Sequence, residues 1–281
     1  MPAMGRENNL NPALRQNSAL RLLQLSDPHL LADPGGLCRG RPALACLRHG
    51  LTQALIQLGG SPLDGLLISG DLCQDESWGG YVHLRELLQD CLPAPLPLAL
   101  LPGNHDHAGL LRAALGRRAW LAPAAIRFGA WTLLLLSSHR PGSLAGWLEP
   151  PQMAWLQRQL AEGAGPVLLA VHHPPLPIGD PSLDGMALQQ PERLLQCLST
   201  SPRVRGVVFG HIHQHWHGHW QGLAGGAALP FWGCPSTLIN RQSVQPCPLG
   251  RPDWPGARLL ELGSDGALSS RLLRWPAFET A

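Results

Sequence analysis

Five short clusters of aspartate, asparagine and histidine each close an apolar run in this chain. LRLLQLSDPH ends in Asp27 and His29, and GLLISGDL in Asp71. LALLPGNHDH delivers Asn104, His105 and Asp106, PVLLAVHHPP delivers His172 and His173, and VVFGHIHQ delivers His211 and His213. Carboxylate, amide oxygen and imidazole are all metal donors. Mixed in one set they suit borderline ions such as Mn, Fe or Zn, whereas Ca and Mg favour all-oxygen shells. Residues two apart in extended chain face the same side, which would align Asp27 with His29 and His211 with His213. Gly70, Gly103 and Gly210 each precede a ligand type, where glycine permits a sharp turn and close backbone approach. A single DxH or GH is weak, because polar strand ends are common. Five such clusters, each ending an apolar run, make a metal centre far the better reading.

The runs themselves have strand length and are bounded by Gly, Pro or polar residues. They predict strands at Leu22–Leu25, Gly65–Ser69, Pro97–Leu101, Trp131–Ser137, Pro166–Val171 and Val204–Phe209. Helical periodicity lies between them, at Pro42–Leu58, Tyr81–Leu92, Leu110–Leu115, Gln152–Leu160 and Pro191–Leu198. Alternating strands and helices predict a layered α/β fold, in which ligands gather beyond the carboxyl ends of the strands. Past Gly210 the text is rich in Gly and Pro. It reads as a run of antiparallel strands, for example Leu229–Phe231, Ser236–Asn240, Ala257–Leu262 and Ala267–Leu273. The expectation is two packed sheets with flanking helices, one domain over residues 20–281, after a polar, disordered leader at 1–19.

Composition narrows the function classes. Apolar residues are 44% of the 281, enough for a substantial core, and the net charge is only +2. Every fixed positive charge is an arginine, and no basic run marks a nucleic-acid surface. The seven cysteines are odd in number, scattered and free of CxxC, so neither a disulfide framework nor a zinc knuckle is expected. No stretch has the length of a signal peptide core or a membrane span. A soluble cytoplasmic protein, monomer or homodimer, is the expectation.

The series Asp27-x-His29, Gly70-Asp71, Gly103-Asn104-His105-Asp106, His172 and Gly210-His211-x-His213 resembles the calcineurin-like metallophosphoesterase superfamily, block by block and in family order. The resemblance implies a four-layer α/β/β/α sandwich of two mixed sheets and a dinuclear site. It places Asp27, His29 and His213 on one metal, Asn104, His172 and His211 on the other, and Asp71 on both. The longer text LQLSDPHLLADPGGLCRG, GDLCQD, VHHPPLPIGDPSLDGMAL, GHIHQ and CPSTLINRQ is similar to bacterial class III cyclic nucleotide phosphodiesterases. That implies a small-molecule cyclic nucleotide as substrate, with 3′,5′-cyclic AMP opened to the 5′-nucleotide. Two ions about 3.5–4 Å apart would bind the phosphate and generate a bridging hydroxide. Broader phosphoesterase activity, on 2′,3′-cyclic nucleotides or other small esters, is the alternative. A catalytically silent metal-binding scaffold is the alternative from another class; retention of every ligand and of His105 argues against it.

His105 follows Asn104 directly, so in extended chain it points away from that ligand's metal. It is read as a donor to the leaving oxygen or as a charge stabiliser on the phosphate, with Asn104 also touching substrate. Asp106 would fix the tautomer of His105 or, equally, cap the following helix. His173 is read as a substrate contact or as a hydrogen-bonded support. His215, His217 and His219 are expected to face solvent from a strand rather than form a further metal site.

Overall fold

Strands near the centre of this protein are apolar at every position because both of their faces are covered. In Gly65–Ile68, Leu66 and Ile68 enter one core and Leu67 another. In Val167–Ala170, Val167 and Leu169 enter a third core, while Leu168 and Ala170 join Leu67. Such continuous runs mark parallel strands buried on both sides.

The computed structural model describes residues 9–10, 19–93, 95–222 and 228–279. The first half comprises β1 (Asn9–Leu10), β2 (Leu20–Leu25), β3 (Leu37–Cys38), β4 (Arg41–Pro42), α1 (Ala43–Gln57) and β5 (Gly65–Ile68). Then follow α2 (Trp78–Cys91), β6 (Leu98–Leu100), α3 (Ala108–Leu115), β7 (Trp120–Leu121), β8 (Ala124–Phe128) and β9 (Trp131–Leu135). The second half holds α4 (Pro150–Glu162), β10 (Val167–Ala170), α5 (Pro181–Asp184), α6 (Pro191–Ser199) and β11 (Val204–Phe209). It ends with β12 (Trp216–Trp220), β13 (Leu229–Gly233), β14 (Gly256–Leu262) and β15 (Leu268–Arg274). Of the leader expected at 1–19, Asn9 and Leu10 pair in parallel with β8; most of the rest lies outside the described residues.

One sheet has the order β15-β14-β2-β5-β6-β7 and the other β1-β8-β9-β10-β11-β13-β12. Their facing sides share a core of Leu22, Leu67, Phe128, Trp131, Leu168 and Val208 among others. The outer side of the first sheet packs on α1, α2 and α3 through residues such as Leu47, Leu84 and Leu111. The outer side of the second packs on α4, α5 and α6 through Leu156, Leu183 and Leu194. This is the expected α/β/β/α sandwich of two mixed sheets.

In the first sheet β2, β5 and β6 run parallel, and in the second β9, β10 and β11 do. The loops after β2, β5, β6, β10 and β11 are the five that carry the clusters. Two expectations for the last third change. Strand β13 is antiparallel to β12, as expected, but parallel to its other neighbour, β11. Residues 236–240 form a loop rather than a strand, because their polar groups turn back on the chain. Ser236 Oγ donates to Asp27 O at 2.8 Å, and Thr237 N donates to Ser26 O at 3.0 Å.

Candidate metal centre

Five of the seven ligand-type side chains leave their strands through a left-handed backbone turn, not through continued extension. Asp27, His29, Asp71, His211 and His213 have φ of 52°, 49°, 50°, 68° and 49°. The expected two-apart, same-side alignment in extended chain therefore does not apply. The side chains converge because left-handed turns swing them off the sheet edge. Main-chain hydrogen bonds hold these turns, with Asp27 N donating to Gly70 O at 3.1 Å and His29 N to Asp71 O at 2.9 Å. The glycines serve as expected. Gly70 sits at φ 107°, and a Cβ there would overlap the His172 ring; one on Gly103 would overlap Asp71.

Two donor sets meet at Asp71. The donor atoms of Asp27, His29, Asp71 and His213 all lie within 4.8 Å of one another, and all four residues are buried. On the other side, Asn104 Oδ1 lies 2.9 Å from His211 Nδ1 and 3.3 Å from His172 Nε2. Asp71 divides its oxygens between the sets, with Oδ1 3.5 Å from His172 Nε2 and Oδ2 3.8 Å from His29 Nε2. The second rings are set from behind. His172 Nδ1 donates to Ser69 O at 2.7 Å and His213 Nδ1 to Ile239 O at 3.1 Å, which turns both Nε2 atoms inward.

These contacts fit metal ions better than they fit each other. His29 Nε2 and His213 Nε2 face at 3.0 Å, and His213 has spent its other nitrogen on Ile239. Asn104 Oδ1 sits between His211 Nδ1 and His172 Nε2, and His29 Nδ1 and His211 Nε2 are buried with no hydrogen-bond partner among the described residues. Burial pushes the His29 and His211 imidazoliums down to about 3, leaving neutral rings with lone pairs to offer. Burial alone would raise the Asp71 carboxyl, but the His172 charge outweighs it and holds Asp71 well below the usual range. Burial likewise opposes a charged His172, yet the Asp71 carboxylate prevails and raises it to about 9.

The remaining expected residues are placed as follows. His105 stands at the edge, half-buried, its ring centroid 5.3 Å from that of His29. Asp106 neither orients His105 nor caps α3. Its carboxylate accepts from Leu72 N, Cys73 N, Gly103 N and Tyr81 Oη, pinning the loop after β5 to the loop after β6. Burial, with Asp71 nearby, raises its pKa to about 7. The cap on α3 is His107, whose Nδ1 accepts from Leu110 N at 3.2 Å. His173 lies in a group with His172 and His211 by distance, but both its nitrogens are engaged. Ser138 Oγ meets Nδ1 at 2.7 Å and Nε2 donates to Leu144 O at 3.1 Å, so the ring is a support and not a free ligand.

The later histidines depart from the expected exposed face. His215 precedes β12, is 7% exposed and accepts from Arg258 Nη2 at 2.8 Å. His217 stacks on Trp232, and His219 is exposed. Among the described residues, no metal-type group forms there. Two contributors were not singled out from sequence. Gln74 Nε2 donates to His105 Nδ1 at 3.1 Å, and His139 Nδ1 donates to Gly103 O at 2.9 Å. Gln74 stands three residues after Asp71, a spacing that could have flagged it; His139 carried no local signal.

A double-sheet sandwich with a carboxylate shared by two nitrogen–oxygen donor sets defines a dimetal phosphoesterase type of fold and site. The solved structures agree on the fold. A dimetal phosphatase from Danio rerio superposes with TM-score 0.60 at 14% identity, covering 92% of this chain and 100% of that one. A purple acid phosphatase from yellow lupin gives 0.59 at 14%, covering 93% and 55%. Residues 20–215 match the calcineurin-like phosphoesterase family, and the chain belongs to it. Among relatives, a "probable cyclic nucleotide phosphodiesterase" of Synechococcus sp. (strain WH7803) is 48% identical over 268 residues, 93% of this chain and 98% of that protein. The 3′,5′-cyclic adenosine monophosphate phosphodiesterases CpdA of Pseudomonas aeruginosa and Escherichia coli K12 are 31% and 32% identical, each covering 94% of its own length.

Proposed function

We propose that this protein hydrolyses 3′,5′-cyclic nucleotides, with cyclic AMP opened to 5′-AMP, at two metal ions of the Fe, Mn or Zn type. The observation that carries the reaction type is Asp71, whose two oxygens address two separate donor sets. The substrate rests on the likeness to the cyclic nucleotide phosphodiesterases along nearly the whole chain.

In this reading Asp27, His29 and His213 hold one ion, Asn104, His172 and His211 the other, and Asp71 both. When bound, the ions supply Lewis acidity toward a phosphate and lower the pKa of water. The chain's own groups do the rest. Ser69 and Ile239 carbonyls orient His172 and His213. Leu101, Val171 and Ile212, each within three residues of a ligand-type side chain, are buried. His105 offers a hydrogen bond to the phosphate or to the leaving oxygen. A cavity of about 680 Å³ is lined by Leu37, Arg39, Arg41, Ile239 and Phe278, and it connects to the site through Ile239, whose carbonyl accepts from His213 Nδ1. Its size accommodates a nucleoside. No helix among the described residues is long and apolar enough to cross a membrane, and the cytoplasm is the proposed compartment.

The test is turnover by metal-stripped protein reconstituted with Mn, using 3′,5′-cyclic AMP, 2′,3′-cyclic AMP and bis-p-nitrophenyl phosphate in parallel. Efficient conversion of the first to 5′-AMP is expected. Cleavage of only the other two would leave the metal centre standing and remove the cyclic AMP assignment.

A further inference from the structure

Behind His105 runs a short one-way chain of hydrogen bonds. Gln74 Nε2 donates to His105 Nδ1 at 3.1 Å, and Gln74 Oε1 accepts from Cys38 Sγ at 3.7 Å. Cys38 is 5% exposed at the end of β3, and burial raises its pKa, so the thiol keeps its proton. A protonated thiol donates to an amide oxygen far better than its sulfur accepts from an amide nitrogen. This fixes the amide with oxygen toward sulfur and nitrogen toward imidazole. Two N–H groups cannot point at one another, so His105 Nδ1 must accept. The ring proton then sits on Nε2, on the opposite edge.

We propose that Gln74 is the positioning residue for His105, fixing it as an Nε2–H hydrogen-bond donor to the phosphoryl group rather than as a proton donor to the leaving oxygen, with Cys38 locking the amide. The proposal rests on the phosphodiester reading above. A ring that gave up Nε2–H while Nδ1 accepts would become an imidazolate, so His105 keeps its proton throughout. Water adds to phosphorus and releases one proton to solvent, the P–O3′ bond breaks, and the 3′-oxygen takes its proton from solvent. A carboxylate in place of Gln74 would instead accept from Nδ1–H and strip Nε2 of its hydrogen, or make the ring a true acid. The neutral amide therefore decides which role the histidine plays, and it separates the two roles that sequence left open.

The experiment combines a tautomer readout with leaving-group dependence. In Zn-loaded protein carrying ¹⁵N-histidine, His105 (assigned by loss of its signals in His105→Ala) is expected to show an acceptor-type Nδ1 and a protonated Nε2. The near-isosteric Gln74→Glu is expected to move the proton to Nδ1, and Cys38→Ala to weaken the preference that Cys38→Ser retains. Gln74→Ala is expected to lower kcat about tenfold with KM little changed, as for groups that orient functional histidines. That loss is expected to be equal for cyclic AMP, whose leaving group is an alkoxide, and for bis-p-nitrophenyl phosphate, whose nitrophenolate needs no proton. A proton on Nδ1 in the wild type, or a loss confined to cyclic AMP, would overturn the proposal. If the wild type cleaved the aryl ester but not cyclic AMP, the substrate assignment would fail while the ¹⁵N shifts would still decide the role of Gln74.

Discussion

Metal loading of this protein should release protons, and the amount follows from one ring. His172 is fully buried, donates through Nδ1 to Ser69 O at 2.7 Å, and has Nε2 3.5 Å from Asp71 Oδ1. Burial opposes its charge, but Asp71 prevails and raises it to about 9 in the metal-free protein. His29 and His211, by contrast, are already neutral, pushed down to about 3 by burial. An ion can take the Nε2 lone pair only after the proton leaves. At pH 7, two units below that value, only about one ring in a hundred is free, so apparent affinity is weakened about a hundredfold and about one proton is released per loading event. Affinity should rise about tenfold per unit from pH 7 toward 9 and then level off. The same shift works on stability. A raised pKa contributes fully below the unfolded value of 6.5, and the contribution fades as pH rises through about 9, in metal-free protein only. The assay is calorimetric titration of stripped protein with Zn in buffers of different ionisation heat. In Asp71→Asn the His172 midpoint, followed by NMR, should fall from about 9, because burial then opposes the charge with only Asp27 and the Ser69 carbonyl left to favour it. Buffer-independent heats at pH 7, or a His172 midpoint near 6.5 in the wild type, would refute the argument.

Three further outcomes are expected. Asp71→Ala should lose both ions and all turnover, read by metal analysis of the purified protein; full metal content would remove the bridging role. His105→Ala should keep both ions and lose roughly a hundredfold or more in kcat, the usual scale for deleting a donor aimed at developing charge; wild-type turnover would exclude the residue. Asp106→Ala should destabilise the fold by several kcal/mol, since it strands four buried donors at about 1–3 kcal/mol each, while leaving the His105 tautomer as it was. A melting temperature equal to the wild type's would contradict that.

The central strands were legible because burial on both faces writes an unbroken apolar run, as in Gly65–Ile68 and Val167–Ala170. One edge of each sheet was not, although the other edge of the first, β15, was: β7 is two residues long and β12 reads WHGHW, so neither offers a run to see. The donor clusters were legible because each sits just past a carboxyl strand end. What local spacing could not carry was the partner of each polar group. Asp106 looked like an accessory of His105 because the two are adjacent, yet its donors are Leu72, Cys73 and Tyr81, brought from 25 to 34 residues away. His215 looked exposed because it alternates with its neighbours, yet Arg258, 43 residues on, fills the space beside it. Arg258 is itself fully buried with its charge opposed by burial, which lowers it to about 10, and it spends its donors on Gly233 O, Trp216 O, Ser270 and His215.

The backbone at the centre explains why donors of these types stand where they do. Among the described residues, nine that are not glycine have positive φ, and five of them are Asp27, His29, Asp71, His211 and His213. A strand can aim side chains only into the two cores beside it. Reaching the open edge requires the chain to leave the extended region, and an unsupported left-handed residue costs about 1–3 kcal/mol. Asp and His bear that conformation better than branched or bulky residues do, so the residue types that bind metal also suit the turn. The hydrogen bonds from Asp27 N to Gly70 O and from His29 N to Asp71 O lock the first two turns onto the third. His211 N joins them by donating to the Asp27 carboxylate at 3.1 Å, which ties the second sheet's loop to the first sheet's. The donors are therefore held together before any ion arrives, and the cost of the turns is offset by the fold's own hydrogen bonds. Preorganisation of this kind makes the site a poor place for substitution even where no ligand atom is lost. A Cβ at Gly70 or Gly103 displaces His172 or Asp71 through the backbone itself, with every donor still present in the sequence.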